Sequence, residues 1–187
     1  NLISTLHEDA TGTLWVGTSF DGVYRIRMPV EGDSTVVDHF GTEHGLPPDR
    51  VDPLRWNERL VFGTSTGLLE FSAAPTPQFV PIASVEVPPA GRNGITRLTQ
   101  DARGRTWGFT SRGPGRWTQR DTTWQWTPGG LHRLQTRMAN VLWTEDQGRT
   151  LWFGMQDELI RYVPEASRLP MPPRVRIRQA STLEADS

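Results

Sequence analysis

One five-residue pattern returns four times at nearly constant spacing, and it limits the possible fold more than any other feature of the chain. Leu14-Trp15-Val16-Gly17-Thr18 recurs as Leu60-Val61-Phe62-Gly63-Thr64 and again as Leu151-Trp152-Phe153-Gly154-Met155. Between these lies Thr106-Trp107-Gly108-Phe109-Thr110, in which glycine and aromatic are exchanged. Counted from the second residue of each copy, the steps are 46, 46 and 45 residues. Periods of roughly 40–50 residues are the signature of four-stranded propeller blades.

Each period has the same internal grammar. A short alternating strand comes first, at 3–7, 51–54, 95–99 and 141–144. A polar turn follows: Glu8-Asp9-Ala10-Thr11-Gly12, Asn57-Glu58, Asp101-Ala102-Arg103-Gly104 and Glu145-Asp146-Gln147-Gly148. Asp and Asn side chains bond their own backbone in such turns, and glycine supplies positive φ. After the Trp-Gly strand comes a second turn, carrying Gly22, Gly67 or Gly113 in three copies and Asp157-Glu158 in the fourth. Third strands are predicted at 23–26, 68–71, 116–119 and 159–163, and fourth strands at 36–40, 79–85 and 123–127. No stretch keeps a 3.6-residue apolar period long enough for an amphipathic helix. The expected fold is all-β: β-propeller blades, four four-stranded antiparallel repeats of about 46 residues, at about 1–46, 47–92, 93–137 and 138–165. Pro164, Pro170, Pro172 and Pro173 follow the last predicted strand. Proline cannot donate to a ladder, so four blades are not expected to close a ring by themselves.

Composition removes several function classes. The 187 residues carry 20 basic and 21 acidic side chains, net −1, without the basic excess of a general nucleic-acid binder. No apolar run approaches the roughly 18 residues that cross a bilayer, so this segment is expected to make no membrane contact itself. There is no cysteine, hence no disulfide, thiolate metal site or cysteine nucleophile. The four histidines, His7, His39, His44 and His132, do not have the spacing of a zinc site. No Gly-x-Ser-x-Gly, His-Glu-x-x-His or phosphate-cradling glycine loop occurs. The chain is therefore expected to have no catalytic residue, metal or cofactor.

The run Ile-x-x-Leu-x-x-Asp-x-x-Gly-x-Leu-Trp-Val-Gly-Thr, followed by Gly-Val-Tyr-Arg, spans Ile3 to Arg25. It resembles the two-component regulator propeller repeat. Phe40-Gly41-Thr42-Glu43-His44-Gly45-Leu46-Pro47 resembles that family's linker before the next blade, and Pro170 to Ile177 resembles the opening of the immunoglobulin-like domain that follows such propellers. The second copy departs by lacking the Asp-x-x-Gly turn and the tryptophan, and the third by its exchange of Gly and Phe. The resemblance implies a seven-bladed propeller, with 166–187 as linker and start of the next domain. It implies the periplasmic sensor region of a membrane-spanning hybrid histidine kinase or related signalling protein, including those ending in diguanylate cyclases, often sensing oligosaccharides. The implied partners are the other blades and signalling domains of the parent chain, with a homodimer as one signalling state. A protein-interaction or carbohydrate-binding propeller is the alternative; a glycosidase or lyase is a further class, disfavoured because no positioned acid/base pair is evident.

Residues that break the period are the candidates for ligand contact. Trp15, Trp107 and Trp152 recur in register, as packing side chains would. Trp117, Trp124 and Trp126 fall within ten residues and recur in no other blade. On a strand Trp124 and Trp126 share a face about 7 Å apart, a spacing suited to stacking on sugar rings; packing on a neighbouring blade is the competing reading. Charge is uneven too. Residues 1–90 hold 5 Arg and 12 acids, whereas 91–187 hold 15 Arg and 9 acids. Arg112 and Arg116 flank this aromatic cluster, and guanidinium groups recognise carboxylate or sulfate bidentately. The candidate ligand-binding set is therefore Arg112, Arg116, Trp117, Trp124 and Trp126, with an anionic oligosaccharide as the expected ligand.

Overall fold

The computed structural model describes residues 2–28, 34–86, 94–134 and 139–164. The span 166–187, expected to be a linker and the start of another domain, lies outside the described residues. Blade 1 is a meander of β1 (Ile3–Glu8), β2 (Leu14–Thr18), β3 (Val23–Arg27) and β4 (Val36–Phe40). Blade 2 is β5 (Asp52–Trp56), β6 (Arg59–Thr64), β7 (Gly67–Ser72) and β8 (Gln78–Pro81). Blade 3 is β9 (Thr96–Gln100), β10 (Thr106–Thr110), β11 (Gly113–Arg120) and β12 (Thr123–Thr127). Blade 4 is β13 (Ala139–Glu145), β14 (Thr150–Met155) and β15 (Leu159–Tyr162). All pairings within these sheets are antiparallel. The all-β propeller expectation holds, with one difference: blade 4 has three strands among the described residues rather than four. Helical structure there is confined to three single 3-10 turns.

First strands of successive blades adjoin, β1 with β5, β5 with β9 and β9 with β13. The core is accordingly a set of seams between blades. Trp15, Phe40, Phe62 and Phe79 fill the first seam. Leu54, Trp56, Val61, Ile95 and Trp117 fill the second, and Trp107, Phe109, Leu151 and Phe153 the third. A sheet two layers deep has only its faces to bury, so each blade depends on its neighbour for its core.

The Gly-Thr of the repeat now has a physical reason. A Cβ at Gly17 would lie 2.2 Å from the Val51 carbonyl oxygen, and one at Gly63 would lie 2.1 Å from that of Ile95. Glycine lets the chain entering the next blade pass against the strand, where the Val51 amide donates to Thr18 O (3.0 Å) and the Ile95 amide to Thr64 O (3.1 Å). The threonine hydroxyls close the second turn, Thr18 Oγ1 donating to Gly22 O and Thr64 Oγ1 to Gly67 O.

Among the described residues, the terminal blades each leave one apolar face uncovered. Leu6 on β1 is 59% exposed and Trp143 on β13 is 67% exposed. Trp152, the register equivalent of Trp15 and Trp107, lies beside Trp143 on that open face and is only half-buried.

Candidate functional site

The repeated tryptophans are held by the turns that precede them. Trp15 Nε1 donates to Asp9 Oδ2 at 2.8 Å, while Asp9 Oδ1 accepts from the amides of Thr11 and Thr13. Trp107 Nε1 donates to Asp101 Oδ2 at 2.7 Å, and Asp101 Oδ1 accepts from the amides of Arg103 and Arg105. One carboxylate thus closes the turn and orients the indole. In blade 4 the role passes to Glu145, whose Oε2 accepts from Trp152 Nε1 at 2.7 Å. The acid at the six-residue spacing, Asp146, instead enters a 3-10 turn with φ +52°. Burial pushes the Asp9 carboxyl upward, but the hydrogen bonds from Thr11, Trp15 and Thr13 outweigh it and hold the group below the usual carboxylate range.

Arginine lies across each of these tryptophans on the next strand. Trp15 pairs with Arg25, Trp107 with Arg116, and Trp152 with Arg161. Arg25 sits 5.7 Å from the Trp15 ring centroid and Arg116 sits 5.9 Å from that of Trp107. Arg105 approaches Trp107 as well, at 6.0 Å, and is paired to Asp101 at 2.6 Å. Tyr162, from β15, packs edge-on against Trp107 and donates its hydroxyl to Gly129 O at 2.9 Å. Burial raises the Tyr162 hydroxyl above its ordinary value, opposed by the positive charges of Arg116 and Arg105 nearby.

The structure divides the sequence-predicted set between two faces of blade 3. Successive residues on a strand point to opposite sides. Arg116 therefore faces blade 4, with Trp107, whereas Trp117 faces blade 2 and joins that seam. Trp117 is 1% exposed and donates its indole N–H to Glu86 O at 3.0 Å. Trp126 pairs with Trp117, and Trp124 packs edge-on against Trp56 at 5.1 Å. Trp124 and Trp126 do share one face, as expected, but that face lies against blade 2, where both rings are half-buried. Beyond them, the β12 edge bonds to 84–86: the Trp124 amide donates to Ser84 O, and the Glu86 amide to Trp124 O, each at 2.7 Å. Arg112 sits exposed at the turn between β10 and β11, its amide donating to Thr110 Oγ1. The arginines and the three tryptophans thus do not form one surface, which corrects the expectation of a combined stacking and charge site.

A signal for this packing was present in the glycines. Gly108 and Gly115 are cross-strand partners. A Cβ at Gly108 would be 3.1 Å from the Trp117 ring, and one at Gly115 would be 2.5 Å from the Trp126 ring. The extra indoles occupy the space that the exchange of Gly and Phe vacates on this side. On the other side Phe109 fills the third seam against Phe153 at 5.8 Å.

A separate cleft of about 330 Å³ lies between blades 1 and 2, lined by His7, Asp9, Arg55, Glu58 and Arg59 among others. Its cations are internally compensated, Arg55 by Glu58 and Arg59 by Glu70. Burial, assisted by Arg55 and opposed by Asp9, pushes the His7 ring below its ordinary value, which favours its neutral form. With Glu8 and Asp9 also in its lining, the cleft holds more carboxylates than arginines and offers no surplus positive charge to an acidic ligand. Among the described residues, no group of three or more His, Asp or Glu side chains is placed to hold a metal ion.

Residues 1–20 match the family model described as two component regulator propeller, which supports the resemblance read from the first repeat. No curated protein matches the chain significantly. Among solved structures, the chain is similar to an extracellular domain assigned to the hybrid two component system BT3049 of B. thetaiotaomicron. That match has a TM-score of 0.62 and 18% identity over 97% of this chain and 26% of that one. An extracellular domain assigned to the one component system BT4673 of the same organism gives 0.50 and 17% over 88% and 30%. At such identities the likeness shows the fold. The chain spans less than a third of the length of either structure. No described helix is long and apolar enough to cross a membrane.

Proposed function

We propose that this chain is part of the extracytoplasmic, ligand-sensing propeller of a transmembrane signalling protein, periplasmic in location, and that its ligand is an oligosaccharide carrying acidic groups. The observation that carries the sensory reading is the match of the first repeat to the two component regulator propeller. Extracellular domains of a hybrid and a one component system with the same fold support it. The acidic character of the ligand rests on the arginine excess of residues 91–187 and on Arg112 and Arg116 within it. No catalytic role is proposed, because the sequence carries no recognised hydrolase or metalloprotease motif.

Calorimetric titration of the protein against neutral and acidic oligosaccharides tests this reading. Saturable binding of an acidic member without turnover is the expected result. Appearance of new reducing ends would instead identify a glycosidase or lyase. Failure of every sugar to bind, with a protein partner held stably, would identify an interaction scaffold.

A further inference from the structure

Blades 1 and 3 differ at one cross-strand position, and the difference leaves a positive charge uncompensated. In blade 1 the row runs Trp15, Arg25, Asp38 across β2, β3 and β4. Arg25 Nε donates to Asp38 Oδ2 at 2.9 Å, and Nη2 of the same guanidinium lies 2.8 Å from that oxygen. In blade 3 the same row runs Trp107, Arg116, Thr127. Arg116 lies over its tryptophan just as Arg25 does, but the fourth strand offers no carboxylate. Arg116 Nε is buried without a hydrogen-bond partner, and among the described residues no acid is paired with Arg116. Asp101, the acid on the same tryptophan, is taken up by Arg105, the Trp107 indole and two backbone amides.

A buried guanidinium N–H without an acceptor is costly, and a carboxylate or sulfate relieves that cost with charge-assisted, forked hydrogen bonds. Trp107 excludes water from beneath the group, which strengthens the attraction. Thr127 is exposed, so the place filled by the acid in blade 1 opens to solvent. Gly129 keeps the adjoining loop close without blocking the stem: a Cβ there would lie 3.2 Å from Arg116 Cγ.

We infer that Arg116 is an anion subsite, at which a carboxylate or sulfate group of a ligand enters from the Thr127 side and takes the place that Asp38 fills in blade 1. This rests on the ligand-sensing reading above and narrows it to one side chain.

Thr127→Asp rebuilds the blade 1 row and is the decisive variant. Thermal melts are compared in sodium acetate, sodium sulfate and sodium chloride at equal ionic strength, for the native protein, Thr127→Asp and Arg116→Gln. Acetate and sulfate should raise the native midpoint relative to chloride by more than they raise that of Arg116→Gln, which reports the general salt effect. Thr127→Asp should melt higher in chloride and show only that general effect. A native protein with no response beyond that of Arg116→Gln, or a Thr127→Asp protein that keeps the excess, overturns the subsite. Glu165, three residues after Tyr162 in the sequence, is the acid to test as an intramolecular competitor. If only the Glu165→Gln protein responds to anions, the chain supplies its own acid and the inference fails. A second arm titrates tetragalacturonate against cellotetraose, and Thr127→Asp should bind the acidic oligomer about tenfold more weakly. Equal binding to both proteins overturns the subsite and leaves the sensing reading intact. An anion response without binding of either sugar leaves the subsite standing and removes the sugar from the proposed function.

Discussion

Blades 1 and 3 carry the same tryptophan, the same turn carboxylate beneath it and the same arginine above it, yet only blade 1 completes the row with an acid. Blade 2 shows which parts belong together. There Val61 replaces the tryptophan, the turn is Asn57-Glu58, and Glu70 follows Leu69 where the arginine would stand in register. Tryptophan, turn acid and arginine are lost together, because an indole N–H buried without its carboxylate is penalised and the arginine then has no ring to cover. The fourth-strand acid varies independently of them. It compensates charge without orienting the ring, and its absence in blade 3 leaves Trp107 as well buried as Trp15. A structural element and a separable charge are thus superimposed on one row of side chains.

The largest effect should come from the ring itself. Trp107 is fully buried in the third seam, and Trp107→Ala should cost about 3–5 kcal/mol in urea unfolding. Trp152→Ala removes the same side chain from the equivalent place on the uncovered face of blade 4, where the ring is half-buried. Its cost should be less than half as large. Equal costs would mean that blade 4 is covered in solution and that the repeats are energetically alike.

A smaller loss, about 1–3 kcal/mol, is expected from Gly108→Val, which restores the residue type found at Val16 but drives a side chain into Leu98 and the Arg97 carbonyl oxygen and tightly against the Trp117 ring. The matching change in blade 1, Val16→Gly, creates space and should destabilise without steric conflict. Differential scanning calorimetry of the two proteins separates these cases. A neutral Gly108→Val would show that Leu98 and Trp117 do not fill the space beside this glycine.

These same positions show what could be read from the chain beforehand. The 46, 46, 45 spacing was enough for the blades, because each copy must present its aromatic to the same neighbour at the same height. It was enough for β4 and β12, whose observed bounds are those expected. Trp117, Trp124 and Trp126 stand out in the sequence as aperiodic, but their packing depends on Gly108 facing Gly115 across two strands, a pairing that requires the register. Arg116 stands out in the sequence by the arginine excess of residues 91–187 and by its place beside Trp117. Its recurrence with Arg25 and Arg161, nine or ten residues after each tryptophan, was legible, whereas the missing acid was not. Asp38 follows Arg25 by 13 residues and Thr127 follows Arg116 by 11, so only the folded pairing aligns them. The use of Glu145 in place of Asp146 is likewise visible only in the fold, where a longer side chain reaches the indole from one residue earlier.

The charge comparison sharpens through Asp38→Asn. The carboxylate also reaches Arg27 at 3.2 Å, and both it and Arg25 are partly exposed, so solvent screens the pair. A loss of about 1 kcal/mol is expected, with Arg25 keeping an amide acceptor but losing its counter-charge. The native protein should lose part of its advantage over Asp38→Asn as salt is raised. A salt-independent difference would show that Asp38 acts through packing, and the contrast between the two blades would then carry no electrostatic meaning.

The smallest effect concerns the turn acid of blade 1 and is read by pH. Hydrogen bonds from Thr11, Trp15 and Thr13 prevail over burial and leave the Asp9 carboxyl below its ordinary value of 3.8. A carboxyl whose folded value is depressed binds protons more weakly when folded than when unfolded. Its stabilising contribution is complete above the unfolded value and is lost as pH falls through the folded one. The native protein should therefore lose this increment below about pH 4. Solvent exposure limits it to under about 1 kcal/mol. Asp9→Asn keeps a carbonyl acceptor for the Thr11 and Thr13 amides but turns an NH₂ toward the Trp15 indole N–H, placing donor against donor. It should be the less stable protein at pH 6, with the gap narrowing toward pH 2. Urea midpoints measured across that range decide the matter: a gap constant from pH 6 to pH 2 would mean that the turn senses the shape of Asp9 and not its charge.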